Sequence, residues 1–155
     1  MAVLGAQHTY DPRWIKQNIG GKAHLHPALA LFYGVPIEQW DSSKAHEIFE
    51  RSAAITYLTG GDPAVWAIYN EPDSDVAKDA EVGVGIHHPR FGRALKKSMD
   101  ALGIKCIIKH ADDYESEKSK KERQPFTWPE EAFMPDMVDF IVNEFNTGKR
   151  ISREE

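Results

Sequence analysis

Ala64-Val65-Trp66-Ala67-Ile68-Tyr69, followed at once by Asn70-Glu71-Pro72-Asp73-Ser74-Asp75-Val76, is the stretch on which the rest of the chain depends. Six consecutive apolar residues introduced by Asp62-Pro63 are the pattern of a strand covered on both faces, because a strand with one wet face alternates apolar and polar residues. Strands of that kind belong to parallel sheets with helices on either side. Ligands of open α/β sheets sit at the carboxyl ends of the strands, which makes the acids just past Tyr69 candidate site residues. The competing local reading is an Asx-type turn leading out of a core strand.

Working outward, His87-His88-Pro89 opens a helix expected to run from Pro89 to about Leu102. Pro89 falls in the first turn, where a missing N–H costs nothing. Phe91, Leu95, Met99 and Leu102 make its apolar stripe, and Gly103 supplies the stop. A strand near 104–109 follows, so the region reads as a βαβ unit with two parallel strands. Upstream, Asp41-Ser42-Ser43 offers a helix cap for a helix near 42–53, with Ala45, Ile48 and Phe49 at helical spacing. Downstream, Phe133, Met137, Phe140, Ile141 and Phe145 share one face of a closing helix near 130–146.

At the other end, Ala2-Val3-Leu4-Gly5-Ala6 is a short apolar run that reads as a strand near 2–6. From about 7 to 40 the chain mixes glycine and proline with aromatics and histidines, with helical turns expected at Pro12–Asn18 and Pro27–Phe32. An excursion of this length in a compact domain suits a cap-like insert. Residues 111–129 read as a charged, Pro-containing loop, including the mixed-charge run Lys118 to Arg123, and 148–155 as a polar tail. The expected architecture is α/β, about three parallel strands flanked by helices.

Composition narrows the function classes. The chain has 155 residues, enough for one domain that buries roughly 68–70% of its unfolded surface. A net charge of −5 gives no support to nucleic-acid binding, and no apolar run is long enough to span a bilayer. The N-terminus lacks the basic segment and apolar run of a signal peptide. Cys106 is the only cysteine, which excludes an intramolecular disulfide and a Cys-rich metal site, and its place in an apolar strand suits a buried, inert thiol. His24-x-His26 lacks a third ligand, His87 and His88 are adjacent and do not share a helix face, and Gly83-x-Gly85 lacks the rest of a phosphate loop. A metal or nucleotide site on His24, His26, His87 and His88 is therefore not expected, and no cofactor is.

Asp73 stands apart because of its context. Tyr69-Asn70-Glu71-Pro72-Asp73-Ser74-Asp75-Val76 resembles the His-Gly-x-x-Asp-x-x-Val segment of α/β-hydrolase esterases and lipases, with Tyr69-Asn70 in place of His-Gly. Ser52-Ala53-Ala54-Ile55-Thr56-Tyr57 is similar to the segment ahead of the same strand in those esterases. Gly85-Ile86-His87-His88-Pro89-Arg90-Phe91-Gly92 and Leu102-Gly103-Ile104-Lys105-Cys106 resemble a planctomycete-like lipase/esterase hydrolase group. Val3-Leu4-Gly5-Ala6 is similar to the strand after the nucleophile, and the excursion to Gly34 to the cap-bearing insert. The resemblance covers residues 1–147 and corresponds to the C-terminal half of the α/β-hydrolase fold.

It implies hydrolysis of a carboxylic ester by a Ser-His-Asp mechanism, with Asp73 as the triad acid. The family's base belongs in the loop after the last strand, yet no histidine follows His110. His110, His87 and His88 all stand as candidates for the base. No Gly-x-Ser-x-Gly or Gly-x-Cys-x-Gly elbow occurs in the sequence, so a small-molecule ester is a partner only if an N-terminal half completes the fold, and the isolated chain is expected to be inactive. The alternative is a truncated or degenerate, non-catalytic hydrolase-like protein acting as an interaction or structural remnant. With its neighbour in the absent half of the fold, the first strand of the isolated chain is expected to be an exposed edge, a route to self-association.

Overall fold

The computed structural model describes residues 1–116 and 128–151. Strands β1 (Ala2–Leu4), β2 (Val65–Tyr69) and β3 (Cys106–His110) form one sheet in the order β1-β2-β3, with both pairs parallel. Ala2 pairs with Trp66 and Leu4 with Ile68, while Val65 pairs with Cys106 and Tyr69 with His110. The three strands therefore leave the sheet along one edge. Helices α1 (Pro12–Asn18), α2 (Pro27–Tyr33), α3 (Ser43–Ser52), α4 (Pro89–Ala101) and α5 (Glu130–Ile151) surround it.

The apolar run does what its composition requires: all five residues of β2 are buried. Val65, Ala67 and Tyr69 point to one face and pack in a cluster with Phe91 and Met99 of α4, Phe49 of α3 and Ile15 of α1. Trp66 and Ile68 point to the other and meet Phe133 and Phe140 of α5. The Trp66 and Phe133 rings stack with centroids 5.9 Å apart. Burying each large apolar side chain stabilises the fold by about 1.5–3 kcal/mol, so the double-sided cover anchors the whole sheet.

The helices begin where their caps dictate. Ser42 Oγ accepts the Ala45 N–H to open α3, and prolines stand in the first turns of α1, α2 and α4. Tyr69 fixes how α4 lies on β2. Its ring is fully buried against Gly92, where an added Cβ would stand 2.3 Å from Tyr69 Cε2, and its hydroxyl donates to the Ala6 carbonyl at 2.6 Å.

The expected elements are present with shifted ends. β1 stops at Leu4 because Gly5 turns the chain away at φ +58° while still donating to the Ile68 carbonyl. β3 starts at Cys106 because the Ile104 N–H closes α4 on the Met99 carbonyl instead of joining the sheet. The backbone of α5 runs on to Ile151, past the expected end at 146 and into the stretch read as a tail. Ala111–Tyr114 forms a 3₁₀ turn at the start of the expected loop, whereas the Lys118 to Arg123 run lies outside the described residues. β1 is an edge strand, with Leu4 44% exposed and no partner strand on its outer side among the described residues. The excursion from 7 to 40 folds onto the carboxyl side of the sheet, where Gly20 bridges Val76 and Ile15, Ile19, Ala23 and Leu29 join the core.

Candidate functional site

Four segments meet at the carboxyl edge of the sheet: Gly5-Ala6-Gln7 after β1, Asn70 to Val76 after β2, the turn Gly85–His88 entering α4, and His110 at the end of β3. Gly5 is essential to the meeting. Its φ of +58° suits glycine, and a Cβ there would stand 3.0 Å from His87 Nδ1. With that space left open, His87 Nδ1 lies 2.7 Å from the Gly5 carbonyl oxygen. A carbonyl only accepts, so Nδ1 carries a proton, and in the neutral ring the lone pair is then on Nε2. Nε2 has no hydrogen-bond partner among the described residues. The backbone N–H of His87 donates to Glu71 Oε1 at 2.8 Å, which pins the residue from the β2 side. Gln7 Nε2 donates to the Ile86 carbonyl and holds the same turn from the β1 side.

The other two candidate histidines are built differently. His88 is almost fully buried; its Nδ1 caps α4 by accepting the Arg90 N–H at 3.1 Å, and its Nε2–H donates to the Ser74 carbonyl at 2.9 Å. His110 accepts the Asp112 N–H on Nδ1 at 3.2 Å and donates from Nε2 to the Glu71 carbonyl at 2.9 Å. Both rings fasten backbone with both nitrogens, and His110 Nδ1 also lies 3.5 Å from Asp112 Oδ1. Glu71 thus touches two histidines, His87 through its carboxylate and His110 through its carbonyl.

Asp73 faces elsewhere. Arg93 grips its carboxylate in a two-pronged fork, Nη1 to Oδ2 at 2.5 Å and Nη2 to Oδ1 at 2.7 Å. Arg90 pairs with Asp75, so two arginines three apart on one face of α4 take the two aspartates of the loop. The Arg93 hydrogen bonds hold the Asp73 carboxyl below its ordinary value, outweighing the opposing effect of burial, and the more distant His88 and His110 add to the same direction. The expected hydrogen bond between Asp73 and a histidine is not formed: among the described residues its carboxylate bonds Arg93. The guanidinium fork is the better partner because it offers two charge-assisted bonds where an imidazole offers one.

Beside His87 opens a cavity of about 600 Å³. Its walls come chiefly from the excursion, including Tyr10, Ile15, Leu29 and Phe32, and from Ile86, with Gln7, His26, His87 and the Tyr10 hydroxyl as its polar groups and no Asp, Glu, Lys or Arg. That size and lining suit a small, mainly apolar molecule. Cys106 is buried in β3, and burial pushes its thiol above the ordinary value, so it is no thiolate nucleophile. Among the described residues no three histidine, cysteine, aspartate or glutamate side chains come together to hold a metal ion. No described helix is long and apolar enough to cross a membrane.

Sequence reading pointed to the acids after Tyr69, Glu71 among them, and to the histidines; of those acids it gave a role only to Asp73, and it passed over Gly5 and Arg93. Arg93 carries a weak signal, since it follows Arg90 by three residues on a predicted helix. Gly5 carries none, because its partner His87 lies far along the chain. Comparison of this chain with protein-family models, with curated proteins and with solved structures gives no match.

Proposed function

We propose that this chain carries the acid–base side and the cap-like part of an α/β-hydrolase that cleaves carboxylic esters, with the nucleophile elbow absent from these 155 residues. One observation supports this most: Gly5, Glu71, His87 and His110, drawn from the ends of all three strands and the turn into α4, are hydrogen-bonded together beside an uncharged cavity. Sites of parallel α/β sheets form at this edge. An ester carbonyl seated there would be attacked by a hydroxyl whose proton a histidine takes and later returns to the leaving alkoxide. The resemblance assigns the acid to Asp73, and that role requires the Arg93 fork to open.

Acyl transfer also needs a nucleophile on a strained elbow and backbone N–H donors aimed at the oxyanion. Losing one such donor costs about 10²–10³ in rate, and without a nucleophile no acyl-enzyme forms. The 155-residue chain by itself is therefore expected to leave short activated esters unhydrolysed. The test is to read the coding sequence upstream of Met1 for an in-frame Gly-x-Ser-x-Gly and to express the chain with and without that segment. Turnover only in the longer form supports the proposal. Turnover by the 155-residue chain, or an elbow-bearing form with none, overturns it.

A second reading, a non-catalytic remnant, draws on the site's own bonding: Asp73 is held by Arg93, and His88 and His110 serve as backbone fasteners. Absence of any upstream elbow would favour it.

A further inference from the structure

We propose that the base of this site is His87, carried by the turn into α4 and not by the loop after the last strand, with the Gly5 carbonyl on its Nδ1–H and Glu71 as its positioning residue. The proposal rests on the ester-hydrolase reading for its chemistry, but its geometry stands on the bonds alone. A general base needs an unprotonated ring nitrogen with a free lone pair, within reach of the group it deprotonates. His88 and His110 fail that requirement, because each accepts a backbone N–H on Nδ1 and donates from Nε2. His87 meets it: Nδ1–H is committed to Gly5, Nε2 has no partner among the described residues, and the ring lines the cavity.

In a triad a carboxylate fixes the histidine tautomer, and here a backbone carbonyl occupies that place. The consequence for Asp73 is direct. With Nδ1 already bonded, Asp73 is not needed to orient this ring, which fits its engagement with Arg93. Glu71 acts one step back: its carboxylate holds the His87 N–H, and Gly5 leaves the space the ring fills. In the reaction, Nε2 takes the proton of the attacking hydroxyl as its oxygen bonds to the ester carbon. It then gives that proton to the departing alkoxide, while Nδ1–H stays on the Gly5 carbonyl throughout.

The assignment is tested on the 155-residue chain without any catalysis. Long-range nitrogen–proton NMR spectra of the ¹⁵N-histidine-labelled protein, taken at a pH where the imidazoles are neutral, report each tautomer. The expected result is Nδ1–H for His87 and Nε2–H for His88 and His110. Diethyl pyrocarbonate, mapped by mass spectrometry, should modify His87 about tenfold faster than either, since each of them must first break a hydrogen bond.

Glu71→Gln keeps an acceptor for the His87 N–H and should preserve the tautomer and the reactivity. Glu71→Ala should lose the fixed tautomer, a distinction that simple loss of stability would not make. A His87 found as Nε2–H, or His110 reacting faster than His87, overturns the proposal. Because neither readout involves turnover, an inactive elbow-bearing form would count against the hydrolase reading while leaving the histidine assignment standing or falling on these spectra.

Discussion

Gly92→Ala sets local propensity and packing against each other with opposite signs. In an exposed helix the change would stabilise α4 by about 1 kcal/mol. In this fold the added methyl would lie 2.3 Å from Tyr69 Cε2, 2.8 Å from Cζ and 2.9 Å from the hydroxyl oxygen. Tyr69 is fully buried at the end of β2, so its ring must be displaced within the core. Overpacking of this kind costs about 1–3 kcal/mol. Moving the ring also strains the hydrogen bond to the Ala6 carbonyl, worth about 0.5–1.5 kcal/mol. The net expectation is a loss of about 2 kcal/mol, which lowers the urea midpoint by roughly 1 M for a chain of this size. Tyr69→Phe isolates the hydrogen bond and should cost about 1 kcal/mol. A Gly92→Ala midpoint at or above that of the parent would refute the packing argument, since helix propensity alone would then decide the outcome.

Three further expectations concern pH, charge and association. His8 is buried against Trp14 and Phe91, its Nδ1 has no partner among the described residues, and burial holds it below its ordinary 6.5. The unfolded chain therefore binds a proton more readily than the folded one, so stability should be level above about pH 6.5 and fall as pH drops below it, with His24 acting in the same direction. Urea midpoints from pH 8 to pH 5 check this, and His8→Phe should flatten the slope. Asp73→Asn breaks a half-exposed ion pair and should cost only about 0.2–1 kcal/mol, less at high salt; a salt-independent loss beyond that range would show that the fork is more than a surface pair. The open edge of β1 should make the chain associate at high concentration in light scattering, with Leu4→Lys shifting it toward monomer; a monodisperse parent protein would contradict this.

The parts of the fold legible in the sequence were those decided locally. Ala64 to Tyr69 announces a two-faced strand because every residue in it is apolar, and Pro89, Phe91, Met99 and Gly103 mark a helix whose period and ends are written within fifteen residues. The ends that moved were settled by bonds between elements. The Ile104 N–H goes to the end of α4, and Gly5 leaves β1 to make way for a ring from another segment.

The candidate site was legible as a neighbourhood and not as a set of roles. Asp73, His87, His88 and His110 do gather at one sheet edge, as strand order and parallel pairing require. Which ring nitrogen stays free depends on carbonyls of Gly5, Glu71 and Ser74, and a backbone carbonyl has no residue type for a sequence pattern to detect. Asp73 was likewise read through its own loop, while its partner Arg93 lies on the following helix.

The pairing of Ala2 with Trp66 also has a consequence for birth on the ribosome. β1 is made first of the three strands, and the strand it pairs with follows 64 residues later. At about 5–20 residues per second that is a wait of roughly 3–13 s, during which this apolar segment is without β2. β2 must wait again, until Cys106 to His110 have been made, before its other edge is closed. Vectorial synthesis therefore leaves the β2-facing edge of this apolar strand open as a transient binding site for holdases until residues 65–69 have been made.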